Sequence, residues 1–303
     1  MMRSLVVLVL ALAAAGCGPA ASDEQGVREV NGTQLFVREM GSGAPVLVVH
    51  GGPLMEHGYF LPHLTPLADD FRLVFYDQRM SGRTPVDSVG GVSMALLLQD
   101  MDALRADEGV EQIHVIGHSW GGHLAMRYAM AYPERLRSLV LSNPMAGSRV
   151  LWMEEEAELA ARASDADRAE RQAIMATPAF SRFDPAAIDQ LMRVSFRVQF
   201  ADTARMHGLS MYFPDDYADR SSRFGALFAE MMAYDFHDAL GSFEAPTLLV
   251  YGEEEPAATI GGVALLEALP NAEIVLVPDA GHFPFIEQPD EWLEAVGGFL
   301  KVR

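Results

Sequence analysis

Hydrophobic positions along this chain gather into short unbroken runs instead of alternating with polar ones. Val46–Val49, Leu73–Tyr76, Ile113–Ile116, Leu139–Leu141, Thr247–Tyr251 and Ile274–Val277 each have the length of a strand. Runs of that kind suit strands covered on both faces. Between them, apolar residues recur at helical spacing over Ser93–Asp107, His123–Tyr132, Val263–Leu269 and Pro289–Val302. Strand and helix alternate, which predicts an α/β fold with a mostly parallel, doubly wound sheet. Ahead of these, "REVNGTQLFVRE" predicts a hairpin turning on Asn31-Gly32, a pair that tolerates positive φ. One region breaks the rhythm. Residues 145–240 hold no convincing strand and are rich in Ala, Arg, Glu and Met at helical spacing. They predict a helical cap inserted into a core made of residues 23–144 and 241–303.

Composition changes the picture at the N-terminus. Leu5 to Ala15 is an apolar run behind Arg3, shorter than the roughly 20 residues that span a bilayer and suited to a signal peptide. "AAGC" puts small residues just before Cys17, the only cysteine, so no intramolecular disulfide can form. The pattern resembles the lipobox of bacterial lipoproteins. It implies a lipid on Cys17 as the sole membrane contact, a domain facing the periplasm or exterior, and residues 1–22 serving as signal peptide and tether, with "GPAASDEQG" a flexible stretch. The formal net charge of -20 argues against nucleic-acid binding, because such a surface repels phosphate backbones.

The chemistry centres on "VIGHSWGG". A strand runs into Gly117, and a helix follows Gly121. G-x-S-x-G in that setting is a nucleophile elbow: the turn is strained and displays the Ser119 hydroxyl. A serine needs a base, and the base needs an acid to orient it. His282, in "PDAGHFPF" after the last run, stands at the C-terminal end of a strand, where open α/β sheets build their sites. Gly281 is read as letting that loop bend. The acid is sought in "YGEEEP", where Glu253, Glu254 and Glu255 all qualify; Asn143, at the other usual place, is no carboxylate. An attacked carbonyl needs two N–H donors. Trp120, next after the serine, and Gly52, in "HGGP", are placed for that task.

Together "HGGP", "DQRMSGRT", "GHSWGG", "YGEEEP" and "AGHFPF" resemble the α/β-hydrolase superfamily, and within it the proline iminopeptidase-like serine hydrolases. The resemblance runs from about Val27 to Leu300. It implies Glu255 as the acid, one methylene longer than the family's aspartate. It implies a supporting role for Asp77 and Arg79. Leu54 and Met80 stand where that group has glycine. The family's cap motif for a substrate amine finds no match; Trp152 and Glu154–Glu156 read as a solvated helix face. Met153, Phe196, Met211, Tyr212 and Phe213 are candidates for the pocket wall. The leading expectation is a serine hydrolase of a small ester or amide, using no cofactor and no metal. A proline-releasing peptidase acting on short peptides comes second. A catalytically silent ligand-binding protein is the reading from another class.

Overall fold

The computed structural model describes residues 23–86 and 91–303. Cys17 and the segment read as a signal peptide lie outside the described residues. Eight strands form one sheet in the order β1-β2-β4-β3-β5-β6-β7-β8. They are β1 (Asp23–Val30), β2 (Thr33–Gly41), β3 (Ala44–Val49), β4 (Phe71–Asp77), β5 (Ile113–His118), β6 (Leu136–Ser142), β7 (Thr247–Gly252) and β8 (Ala272–Val277). From β4 to β8 every pairing is parallel. The β1–β2 hairpin and its edge on β4 are antiparallel. Asn31 and Gly32 take φ of 49° and 69°, the two positive values that let a two-residue turn follow the twist of its strands. The stretch from Asp23 to Gly26, read as tether, is instead the start of β1, paired with Val37 to Met40. Its side chains are exposed or half-buried and polar, so backbone pairing holds it there, helped by a two-pronged bond from Arg38 to Asp23 at 2.9 and 2.7 Å.

Helices cover both faces. In the central strands, alternate apolar residues serve opposite faces. Leu47, Val49, Leu139, Leu141 and Leu249 pack with α1 (Met94–Asp107), α2 (Trp120–Ala131) and α10 (Gly261–Ala268). Val46, Val48, Val140, Leu248 and Val250 pack with α12 (Pro289–Lys301), through Trp292, Val296, Phe299 and Leu300. Both sides are apolar, which is why no polar alternation marks these strands in the sequence.

The insertion between β6 and β7 carries α3 (Arg149–Arg162), α4 (Asp165–Met175), α5 (Pro178–Ser181), α6 (Pro185–Phe196) and α7 (Tyr217–Phe224). Its two ends meet at a bridge between Ser148 and Asp235. At its C-terminal end, Phe224, Leu227, Met231, Phe236 and Leu240, the last in α8 (His237–Leu240), join the core on the α2 side of the sheet. The remaining short helices, α9 (Pro256–Thr259) and α11 (Pro284–Glu287), follow the loops that carry Glu255 and His282.

Candidate active site

The centre of the site is the junction of β5 and α2. Ser119 sits there at φ 54°, ψ -120°, a conformation that costs a non-glycine residue about 1–3 kcal/mol and persists only where packing enforces it. Packing does enforce it. Ser119 N–H donates to the carbonyls of Ser142 and Asn143 at 3.2 and 3.1 Å. The flanking glycines are needed for space, not for φ. A Cβ on Gly121 would lie 2.0 Å from the Val49 carbonyl oxygen, and one on Gly117 would lie 2.6 Å from that of Gly121. The elbow is thus wedged between β3 and β6. Trp120 opens α2, so its backbone N–H has no acceptor within the helix. Its indole turns away from the cavity and donates to the Gln78 side chain at 2.9 Å.

His282 lies beyond β8. The bend comes from Asp279, at φ 50°. Gly281, read as the bend, serves a different end: a Cβ there would sit 2.2 Å from the Gln199 carbonyl of the cap. His282 Nδ1 faces Glu255 Oε1 at 3.2 Å. Glu255 is buried, and its other oxygen is buried without a partner among the described residues. Glu253 and Glu254 are exposed and point to solvent. Of the three glutamates, Glu255 alone meets the histidine.

Ser119, His282 and Glu255 line one small cavity of about 120 Å³. Gly51 and Gly52 form its edge on the other side, with Gly52 at φ 58°. The cap closes it with Trp152, Glu155 and Glu156 of α3, Met192 and Phe196 of α6, and Gln199. Of the five apolar residues expected in the wall, Phe196 alone is there. Met153 and Tyr212 are exposed, and Met211 and Phe213 pack against the α12-side core. The expectation of a solvated face at Trp152–Glu156 is also corrected, since three of those residues face the cavity. Docking of α3 over the sheet decides this, and nothing local in "WMEEE" reveals it. Burial, reinforced by the Glu255 charge, pushes the Glu155 carboxyl up to about 8, although it accepts the Gly261 N–H at 3.1 Å. Glu156 sits at the exposed rim. Its carboxyl is raised by partial burial and by Glu255, while His282 pulls the other way.

Behind the site, "DQR" ties loops together. Asp77 accepts from His57 N–H at 3.1 Å, His57 Nδ1 at 2.6 Å and Arg83 N–H at 2.7 Å. Gln78 donates to the His50 carbonyl at 2.7 Å. Arg79 makes a two-pronged bond to Asp100 at 2.6 and 2.8 Å. Glu56, His57 and Asp77 are close enough to hold a cation, but Arg83 already reaches Glu56 at 2.6 Å and supplies the positive charge. Leu54 and Met80, at φ 69° and 64°, hold the left-handed backbone for which glycine is better suited.

A family model described as alpha/beta hydrolase fold matches residues 44–289. The proline iminopeptidase of Lactobacillus delbrueckii subsp. bulgaricus is 26% identical over 291 residues, covering 88% of this chain and 94% of that protein. That of Clostridioides difficile is 24% identical over 294 residues, covering 92% and 98%. Among solved structures, the proline iminopeptidase of Mycobacterium smegmatis superposes with a TM-score of 0.67 at 22% identity, over 92% of this chain and 98% of that one. Est816, an N-acyl homoserine lactone degrading enzyme, superposes with a TM-score of 0.62 at 25% identity, over 90% and 100%.

Proposed function

Since the chain belongs to the α/β-hydrolase fold family and is a proline iminopeptidase-like enzyme within it, we propose that it cleaves a small ester or amide through an acyl-enzyme, with Ser119 as nucleophile, His282 as base and Glu255 as acid. The observation that carries the reading is the contact between His282 Nδ1 and Glu255 Oε1 at 3.2 Å, in the same cavity as a serine held on a strained turn. The carboxylate fixes the imidazole with its proton on Nδ1. That leaves Nε2 free to take the serine proton and return it to the leaving group. Serine oxygen adds to the carbonyl carbon, and the C=O electron pair moves to oxygen as an oxyanion. The N–H groups of Gly52 and Trp120 receive that charge. Collapse expels an alcohol or amine that carries the proton from His282. Water, activated by the same histidine, then releases the acid.

The cap favours a second, narrower reading. Glu155 and Glu156 beside Trp152 offer carboxyl groups to a cationic group on the acyl part, as an N-terminal residue with a free amine would provide. An aminopeptidase acting on short peptides, as the names of the relatives suggest, would use them so. The related lactone-degrading enzyme points to esters instead. One experiment separates the outcomes: p-nitrophenyl esters set beside prolyl and alanyl amides, with and without a free amine, on the described domain. Ester turnover without amide turnover supports the leading reading. A strong preference for the free amine supports the second. Failure of a fluorophosphonate probe to label Ser119 would overturn both in favour of a silent binder.

A further inference from the structure

Four groups that the reaction does not consume form an ordered chain of three hydrogen bonds through the floor of the site. Gly51 N–H donates to the Tyr59 hydroxyl oxygen at 2.6 Å. Tyr59 lies 2.8 Å from His118 Nδ1, and His118 Nε2 lies 2.9 Å from the carbonyl oxygen of His282. All the side chains involved are buried: Tyr59 and His118 are each 1% exposed.

The direction of every bond follows from the two ends. A carbonyl oxygen only accepts, so His118 Nε2 carries the proton. Burial, with His282 close by, holds the His118 imidazole well below its usual value, so it is neutral and its Nδ1 is a bare acceptor. Tyr59 must therefore donate its O–H to Nδ1. Burial raises the phenol well above its ordinary value, which keeps that proton in place. The phenol oxygen is then free to accept from Gly51. Each donor has one acceptor, and with a neutral His118 ring no other arrangement of protons satisfies all three bonds.

From this geometry we propose that Tyr59 and His118 are positioning residues, which brace the Gly51–Gly52 donor loop and the His282 backbone against the elbow so that the oxyanion site and the base keep their alignment with Ser119. The proposal rests on the serine-hydrolase reading above. Three loops that arrive from different parts of the chain are joined by this pair in one run of hydrogen bonds. The fit leaves no slack: a Cβ on Gly51 would lie 2.9 Å from both the His118 carbonyl oxygen and the Ser119 Cβ. The His282 peptide is gripped from both sides, its N–H by the Gln199 carbonyl at 2.7 Å and its C=O by His118. Glu255 then needs only to orient the ring. Misplacing such groups by about 1 Å can cost on the order of 100-fold in rate.

The test compares Tyr59→Phe, His118→Phe and His118→Gln in the full domain. Phenylalanine keeps the aromatic packing that both rings make with Phe60 and Phe285 but cannot complete the chain. Glutamine offers an acceptor and a donor at a spacing close to that of the imidazole nitrogens. Burst kinetics on an activated ester and the rate of fluorophosphonate labelling are the readouts, with melting temperature recorded alongside. The expected result is a fall of at least about tenfold in acylation rate for both phenylalanine variants, with KM changing less than about threefold. His118→Gln should recover most of the loss. Folded phenylalanine variants that acylate at the wild-type rate would overturn the proposal. So would equal losses for His118→Gln and His118→Phe, which would mean that ring packing matters and the hydrogen bonds do not. If one phenylalanine variant fails to fold, the other decides. A wild-type protein that the probe does not label refutes the serine-hydrolase reading itself, and the brace falls with it.

Discussion

At the scale of single residues, the site depends on groups held where they are least comfortable. Ser119 is strained, Glu255 is buried with one oxygen unpartnered among the described residues, and Glu155 is a buried carboxyl beside a second one. Ser119→Ala should leave the fold intact and lower hydrolysis by about 1,000-fold or more, since it removes the atom that forms the acyl bond. Retained turnover in that variant would end the mechanism. Glu255→Gln should reduce kcat by about 100-fold or more with KM nearly unchanged, because it strips charge from the transition state and no contact from the substrate. Steady-state kinetics checks the split. Glu155 lends itself to a stability measurement. Its folded value of about 8 lies above the ordinary carboxylate value of 4.5. Between those values the folded chain binds the extra proton, so this group lowers stability as pH rises through the window. Below it the effect vanishes. Glu155→Gln should therefore be more stable than wild type at pH 8 and little changed at pH 4.5. Urea denaturation at the two pH values tests this, and an equal difference at both would contradict the assignment.

At the scale of elements, what was legible in the sequence follows from what each element buries. The strands from β3 to β7 show as apolar runs because both their faces are covered, while β8, at the edge of the sheet, shows as one although Leu276 is exposed. The first half of β1 does not show, because Asp23, Glu24 and Gln25 are exposed and are held by backbone bonds to β2 and the Arg38–Asp23 pair, not by apolar burial. Helix α2 begins at Trp120, ahead of the periodic stretch from His123, because the elbow forces Gly121 and Gly122 into the helix despite their poor propensity. Those glycines answer to space. Gly121→Ala should destabilise by about 1–3 kcal/mol or more through overpacking against β3, and should lose activity even where it folds. Thermal melting beside an activity assay measures both, and a variant with wild-type melting would show that the elbow tolerates a shift. Helix α3 was the hardest to read. Its charged sequence suits a solvated face, and Glu154 and Glu158 do face solvent. Only tertiary docking turns Trp152 and Glu155 inward. Hence Ser119, His282 and the loop of Glu255, the proposed triad, stand out as motifs on the C-terminal side of strands, while the cap wall and the Tyr59–His118 pair, built across long sequence separations, do not.

At the scale of the whole molecule, two questions remain coupled: what the cap admits and where the domain works. Substitutions at Trp152, Met192 and Phe196 should shift preference among esters of different acyl size more than they shift melting temperature, because these side chains line the cavity and Met192 and Phe196 reach the core only at its margin, half-buried. The second question turns on Cys17, for which we propose a lipid. No helix among the described residues is long and apolar enough to cross a membrane. The first strand begins at Asp23, so only six peptide steps separate a lipidated cysteine from the folded domain. Fully extended, that length spans about 20 Å. The domain would be held close against the headgroups, while a net charge of -20 repels an anionic surface. A single acyl chain anchors only marginally, so stable attachment requires more than one chain on the cysteine and cannot draw on electrostatic attraction. Native protein should therefore fractionate with membranes, resist release by high salt and come off with detergent. Cys17→Ser should move it to the soluble fraction or block its processing, with catalysis by the domain unchanged. Recovery of the native protein in soluble form, with a mature chain beginning well past residue 17, would refute the anchor without touching the reading of the site.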